Sequence, residues 1–83
     1  MPKYKVGEKV VIRKDLIANE DNWYAMEDGE ADDSVTEAMV VIANSRDFVT
    51  IKEVFEKYLI AEDNGDWCWT DGMIAGLYED PQP

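Results

Sequence analysis

The chain has 83 residues, with 19 Asp and Glu against 8 Lys and Arg, no His, one Cys and a formal net charge of -11. A chain this short buries only about 60% of its unfolded surface, which predicts a single domain over residues 1–83 without room for a large catalytic cavity. The absence of histidine and the single thiol, Cys68, exclude imidazole-based catalysis and the common zinc sites. We therefore expect no enzyme, no metal and no cofactor.

Signals for membrane insertion or secretion are not found in the sequence. No segment approaches the roughly 18 consecutive apolar residues that span a bilayer. The first five residues, MPKYK, lack the apolar centre of a signal peptide. We therefore expect a cytoplasmic protein with no membrane partner.

The charge is distributed unevenly along the chain. Residues 1–14 carry five bases against one acid (+4), residues 15–47 one base against ten acids (-9), and residues 48–83 two bases against eight acids (-6). Such a field repels phosphate backbones and attracts basic surfaces. It predicts a protein partner with a basic surface and no direct binding of nucleic acid. The alternative is that the acids only keep a small domain soluble.

The first predicted element is a strand that follows a bend at Gly7. Val6, Val10 and Ile12 alternate and are available to one face of this strand. Periodicity then disappears from residue 15 to residue 33, which predicts a long loop. Loops longer than about 12 to 15 residues are usually functional or disordered, so this loop is the first place to look for a binding surface.

A short helix is predicted next, over residues 34–42. Ser34 and Glu37 fit a capping box, and apolar residues follow at helical spacing. The β-branched run at residues 40–42 suits a strand equally well, so a strand is the alternative. Residues 48–55 alternate as a strand with Val49 and Ile51 facing inward.

Asn64 and Gly65 are the pair that a two-residue type I′ turn requires, because both positions need a positive φ. They predict a hairpin in which Ile60 faces Trp69. The acids at its tip, Glu62, Asp63 and Asp66, are then solvated turn residues.

Both faces of this hairpin are substantially apolar. Either its strands are covered on both sides, or one face is an exposed aromatic platform. At least one of Trp67 and Trp69 is expected in the core, because a small barrel needs large side chains to fill it. Cys68 is expected to be a small buried hydrophobic residue.

The remaining residues predict a capped helical turn over 70–78 and a frayed tail over 79–83. The helical turn is expected to pack Met73, Ile74 and Leu77 against the end of a barrel.

Three segments, YKVGEKVVIRKDL, VTIKEVFEKYLIAED and WCWTDGMI, occur in an order that resembles a group of small proteins from Gram-positive bacteria and their phages. The resemblance implies a mainly β fold, a small SH3-like five-stranded barrel of the mind-bomb type with one or two short helical turns. It also implies a phage or prophage setting in a bacterial host cell, and no catalytic residues. Residues 17–37 lie outside the resemblance and are interpreted as an acidic insertion loop, longer and more acidic than the pattern of the group.

The leading functional hypothesis is an inhibitor that occupies the basic nucleic-acid groove of a bacterial enzyme, as DNA mimics and some anti-CRISPR proteins do. Spaced carboxylates can imitate phosphates and steer association, while Trp23 and Tyr24 supply an apolar anchor. The predicted partner-binding residues are Glu20, Asp21, Trp23, Tyr24, Glu27, Asp28, Glu30, Asp32 and Asp33.

Two alternatives remain open. The first is an SH3-like adaptor that binds a peptide or a protein partner through a secondary aromatic patch of Tyr58, Trp67 and Trp69. The second is a structural protein of a virion that assembles with itself. The sequence leaves both a monomer and a dimer open.

Overall fold

The computed structural model describes residues 3–27, 29 and 31–79. Six strands, one α-helix and one 3-10 turn follow each other along these residues. They are β1 (Lys9–Ile12), β2 (Trp23–Ala25), β3 (Asp32–Ser34), α1 (Glu37–Ser45), β4 (Val49–Val54), β5 (Tyr58–Ile60), the 3-10 turn (Asp71–Met73) and β6 (Ile74–Leu77). The predicted mainly β class is confirmed. Of the tail predicted to fray over residues 79–83, residues 80–83 lie outside the described part of the chain.

The strands form two sheets. β5, β4, β1 and β6 lie side by side in that order in an antiparallel sheet, and β2 and β3 form a second sheet of two strands. Val10 and Ile12 of β1 and Val49 and Ile51 of β4 are buried, so the inward faces of both strands were predicted correctly. Val6 was wrongly placed on the inward face, since its side chain is 63% exposed. The chain bends at Gly7, where φ is +89°, and β1 begins two residues later.

The predicted helix is present as α1, but it begins later than its predicted cap. Thr36 is the N-cap, and its Oγ1 accepts a hydrogen bond from Met39 N at 3.3 Å. Ser34 belongs to β3 instead. At the other end of α1, Lys14 Nζ donates to Ala43 O and Arg46 O, which supplies partners to carbonyls that a helix end leaves free.

The predicted turn at residues 64 and 65 has the expected backbone but not the expected register. Asn64 and Gly65 have φ of 57° and 75°. The strand residue opposite Trp69 is Tyr58 rather than Ile60, and the turn extends over residues 61–65. A turn of two residues was therefore the wrong prediction.

A buried carboxylate accounts for the wider turn. Asp63 Oδ2 accepts from Trp69 Nε1 at 2.9 Å and Oδ1 accepts from Gly65 N at 2.9 Å, so this side chain points inward. Glu62 accepts from Thr50 N at 2.7 Å and is half-buried. Only Asp66 is exposed, so the prediction of three solvated acids was wrong for two of them.

Residues 74–77 form a strand where a helical turn was predicted to continue. A 3-10 turn ends at Met73, and Ile74 then pairs with Ile12 of β1. Met73 and Ile74 are buried as predicted, but Leu77, the last residue of β6, is 55% exposed. Cys68 is half-buried rather than fully buried.

One hydrophobic core joins both sheets and the helix. It contains Val10 from β1, Met26 after β2, Met39 from α1 and Trp69, the last with none of its surface exposed. The expected tryptophan in the core is therefore Trp69. Among the described residues, no helix is long and apolar enough to cross a membrane.

Candidate functional site

The stretch predicted as a structureless loop over residues 15–33 contains the two-stranded hairpin of β2 and β3. Trp23 faces Ser34, Tyr24 faces Asp33 and Ala25 faces Asp32. Since side chains alternate across a strand, Tyr24 and Asp33 point one way and Trp23, Ala25 and Asp32 point the other. The prediction of a loop was wrong because each strand has only three residues, too few for a clear alternation.

Residues 70–72, at the start of the 3-10 turn, hold the β2 strand of the hairpin in place. Thr70 Oγ1 donates to Tyr24 O at 2.9 Å, and Glu27 N donates to Asp71 Oδ2 at 2.9 Å. Gly72 lies so close to β2 that an added Cβ would stand 3.1 Å from Ala25 O. These contacts fasten β2 along its length to the C-terminal part of the fold.

An ion pair fixes the other strand of the hairpin. Lys57 Nζ lies 3.0 Å from Asp33 Oδ2, and both side chains are largely shielded from solvent. The hydrogen bond to Asp33 raises the pKa of Lys57 above its ordinary value. Because Lys57 immediately precedes β5, this pair connects β3 to the larger sheet.

The inner face of β2 holds a guanidinium between an aromatic ring and a carboxylate. Arg13 lies 5.7 Å from the centre of the Tyr24 ring. Its Nε and Nη2 donate to the two oxygens of Asp15 at 3.0 Å and 2.9 Å. This hydrogen bonding raises the pKa of Arg13 and lowers the pKa of Asp15. The half-buried Tyr24 is therefore engaged in contacts within the chain, and its hydroxyl also accepts from Ile17 N at 3.1 Å.

The outer face of the hairpin is open and acidic. We define the hairpin face as the outward side chains Trp23, Ala25 and Asp32 together with Glu20 and Asp21, which precede β2. The Trp23 side chain is 57% exposed, and the other four residues are exposed as well. A hydrogen bond from Asn22 N to Asn19 O, 2.9 Å long, forms the turn that leads Glu20 and Asp21 into β2. The Trp23 indole and the Asp32 carboxylate thus share one face of the hairpin, and two further exposed carboxylates lie in the turn directly before β2.

The nine predicted partner-binding residues have different positions in the structure. Glu20, Asp21, Trp23 and Asp32 lie on the hairpin face. Glu27 is exposed and lies 3.7 Å from Lys3, whereas Tyr24 and Asp33 make internal contacts. Asp28 and Glu30 lie outside the described residues.

The predicted secondary aromatic patch does not form a surface. Tyr58 and Trp69 have none of their surface exposed, and only Trp67 of the three is half-buried. The Tyr58 hydroxyl donates to Asp71 Oδ1 at 2.7 Å and accepts from Lys3 N and Tyr4 N at 3.1 Å and 3.2 Å. Burial and the bond to Asp71 raise the pKa of Tyr58 to about 12. These two rings hold the fold together and are not available to a peptide.

A pair of half-buried aromatic rings, Phe48 and Tyr78, was missed in the sequence. Phe48 and Tyr78 lie with ring centres 4.7 Å apart, and Lys9 Nζ lies 4.8 Å from the centre of the Phe48 ring. Phe48 precedes β4 and Tyr78 follows β6, so strand alternation alone could not bring them together. The order of the strands does, because β1 lies between β4 and β6.

Comparison with known proteins gives no identification. No protein-family model, no curated protein and no solved structure matches the chain. Among the described residues, no three or more His, Cys, Asp or Glu side chains come together as a metal site.

Proposed function

We propose that this protein is an inhibitor of phage or prophage type whose hairpin face binds the basic nucleic-acid-binding surface of a bacterial enzyme. The observation that carries the proposal is an exposed tryptophan, Trp23, held on a firmly anchored hairpin among exposed carboxylates. An apolar anchor surrounded by charges of one sign is suited to a protein surface of the opposite sign.

The balance of charges supports a basic partner. The chain has 8 Lys and Arg against 19 Asp and Glu. Five of the eight bases are engaged within the molecule: Lys3 with Glu27, Arg13 with Asp15, Lys57 with Asp33, Lys14 with carbonyls of α1, and Lys9 with the Phe48 ring. The net charge of -11 and the exposed acids of the hairpin face give this surface a negative potential, which speeds association with a basic surface and weakens as salt rises.

The exposed indole supplies binding energy that charge alone does not. A tryptophan side chain contributes up to about 250 Å² of contact surface, so the 57% exposed at Trp23 corresponds to roughly 140 Å². Covering that area at about 25 cal/mol per Å² is worth roughly 3.5 kcal/mol before the entropic costs of association are subtracted. A surface residue of this type is a candidate hot spot, because tryptophan dominates interface energetics.

The anchoring of the hairpin keeps the cost of binding low. β2 is held by Thr70, Asp71 and Gly72, and β3 is held by the ion pair of Lys57 with Asp33. Loops that must be ordered on binding lose part of the interaction energy to conformational entropy. A hairpin fixed in advance retains that energy for the partner.

The order of the strands supports the SH3-like arrangement that we infer for the fold. The backbone of Trp69 pairs with Tyr58, which places a fifth short segment beside β5. The chain then passes through the 3-10 turn into β6, which pairs with β1 at the other end of the sheet. An SH3-like barrel follows if the two ends of this sheet curve toward each other.

The test is capture of the target from lysate of a Gram-positive host. Two matched triple variants are compared with the wild-type protein. The first neutralises the hairpin face (Glu20→Gln, Asp21→Asn, Asp32→Asn), and the second neutralises three exposed acids elsewhere (Glu53→Gln, Glu56→Gln, Asp66→Asn). Both change the net charge equally, so any difference between them reports the position of the charges.

We expect the wild-type protein to retain a nucleic-acid enzyme that moderate salt or a short DNA duplex displaces. The first variant should bind that enzyme at least about tenfold more weakly, because three charge contacts of roughly 0.5 kcal/mol each exceed 1.4 kcal/mol. The second variant should bind nearly as well as wild type. Equal losses in both variants, or no nucleic-acid enzyme among the captured proteins, would contradict the proposal.

A further inference from the structure

The hairpin carries an aromatic ring and a carboxylate on each of its faces. On the inner face these are Tyr24 and Asp33: the Tyr24 ring lies 5.7 Å from the guanidinium of Arg13, which is paired with Asp15 outside the hairpin, while Asp33 is paired with Lys57. On the outer face, Trp23 and Asp32 are the corresponding groups, and both are exposed. The inner face thus places a guanidinium beside the aromatic ring of β2, and the outer ring is free for such a contact from a partner.

The register of the hairpin brings the two outer groups within reach of one side chain. Trp23 lies opposite Ser34, and Asp32 is two residues before Ser34 on the same side of β3. Diagonal neighbours of this kind have β-carbons about 7 to 8 Å apart, which aromatic and long side chains bridge. A planar guanidinium can therefore stack on the indole while its N–H groups donate to the carboxylate.

We propose that the hairpin face binds an arginine side chain of the partner, stacked on Trp23 and paired with Asp32. The inference rests on the proposed function and specifies the chemistry of the group that the basic partner contributes. Arginine is preferred over lysine here because its flat, weakly hydrated cation stacks on aromatic faces and donates two parallel hydrogen bonds, whereas an ammonium is a compact, strongly hydrated point charge. Glu20 and Asp21 add attraction for any cation and do not discriminate between the two.

The experiment is a titration of the whole protein with oligo-arginine and oligo-lysine peptides of equal length. The indole N–H signals of the three tryptophans are followed by NMR. The Trp69 indole, buried and bonded to Asp63, serves as an internal reference that should not move. We expect the Trp23 signal to shift, and the arginine peptide to bind about three- to fivefold more tightly than the lysine peptide.

Variants separate stacking from charge. Trp23→Leu should remove the preference for arginine, while Trp23→Phe, which keeps a ring, should retain part of it. Trp23 is exposed, so both variants should keep the fold, which far-UV circular dichroism verifies. Asp32→Asn should weaken binding of the arginine peptide more than the control Asp66→Asn, an exposed aspartate outside the hairpin.

The outcomes distinguish this inference from the proposed function. Equal affinities for the two peptides, or a Trp23 signal that does not move, would overturn the arginine site. The charge-based proposal would still stand if neutralising the hairpin face abolished capture of the enzyme. If the arginine peptide binds more tightly than the lysine peptide but no nucleic-acid enzyme is captured, the result would support the arginine site and refute the inhibitor.

Discussion

Removal of one hydroxyl, in Tyr58→Phe, should destabilise the whole fold. The Tyr58 hydroxyl joins three segments, because it donates to Asp71 and accepts from the backbone N–H groups of Lys3 and Tyr4. The ring has none of its surface exposed and the hydrogen bond from Tyr4 N is buried, so water cannot replace that acceptor in the variant. The substitution leaves the shape of the side chain unchanged apart from one oxygen atom, so it isolates the hydrogen bonds.

The size of the effect follows from the three bonds. The 2.7 Å bond to the Asp71 carboxylate involves a charged group and is worth about 1.5 to 3 kcal/mol. The buried N–H of Tyr4 is left without its acceptor, which costs about 1 to 3 kcal/mol more. We expect the free energy of unfolding to fall by roughly 3 to 5 kcal/mol, a large part of the stability of a small domain.

The assay is urea unfolding near neutral pH, followed by tryptophan fluorescence. A loss of 3 kcal/mol should lower the midpoint by about 2 M urea for a protein of this size. The control is Tyr24→Phe, which removes an equivalent hydroxyl bonded only to the exposed N–H of Ile17 and should cost less than about 1 kcal/mol. A loss in Tyr58→Phe no larger than the control loss would refute the reasoning.

The same hydroxyl predicts a pH dependence with a definite sign. The pKa of Tyr58 is raised from 10.0 to about 12 in the folded protein, mainly by burial and then by the bond to Asp71. The unfolded chain therefore loses this proton first, so the contribution to stability is present below pH 10 and is lost as pH rises toward 12. The stability difference between the wild type and Tyr58→Phe should shrink across that range, and a difference that stays constant would contradict the assignment.

Three further changes test the wider turn, the anchor of the hairpin and the helix cap. Asp63→Ala should cost about 2 to 4 kcal/mol in chemical unfolding, because a buried indole N–H loses its acceptor; Asp66→Ala in the same turn should stay within about 0.5 kcal/mol of wild type. Gly72→Ala should cost about 1 to 3 kcal/mol, since its Cβ would stand 3.1 Å from a backbone oxygen of β2. Gly76→Ala is the control, with open space at the same position, and no difference between the two alanines in thermal unfolding would argue against the close approach. Thr36→Ala should cost about 1 kcal/mol and reduce the helical signal in circular dichroism, whereas Ser34→Ala should leave that signal unchanged if Thr36 is the true cap.

Several elements could be predicted from the sequence because they depend on neighbouring residues. The burial of Val10 and Ile12, and of Val49 and Ile51, follows from the two-residue period of a strand. The positive φ values of Asn64 and Gly65 follow from the few residue types that tolerate that conformation. The helix over residues 37–45 follows from apolar spacing, although its cap was placed two residues too early.

The candidate site was only partly predictable. The acidic segment was recognised as the place to look, and four of its nine predicted residues lie together on the hairpin face. Tyr24 and Asp33 were assigned to the partner because the sequence does not show which side of a three-residue strand faces inward. That side is set by Arg13 and Lys57, which approach from other parts of the chain.

The sequence by itself determined the acidic charge, the mainly β class and the local backbone of the turns, because these depend on composition and on adjacent residues. Only the tertiary structure decided which polar groups are internal. Asp63 binds the indole of Trp69, and Asp71 binds both Tyr58 and the hairpin. A carboxylate next to a turn is solvated by default, and it is buried only when a distant donor compensates its desolvation. The same long-range contacts leave Trp23 outside while Trp69 fills the core.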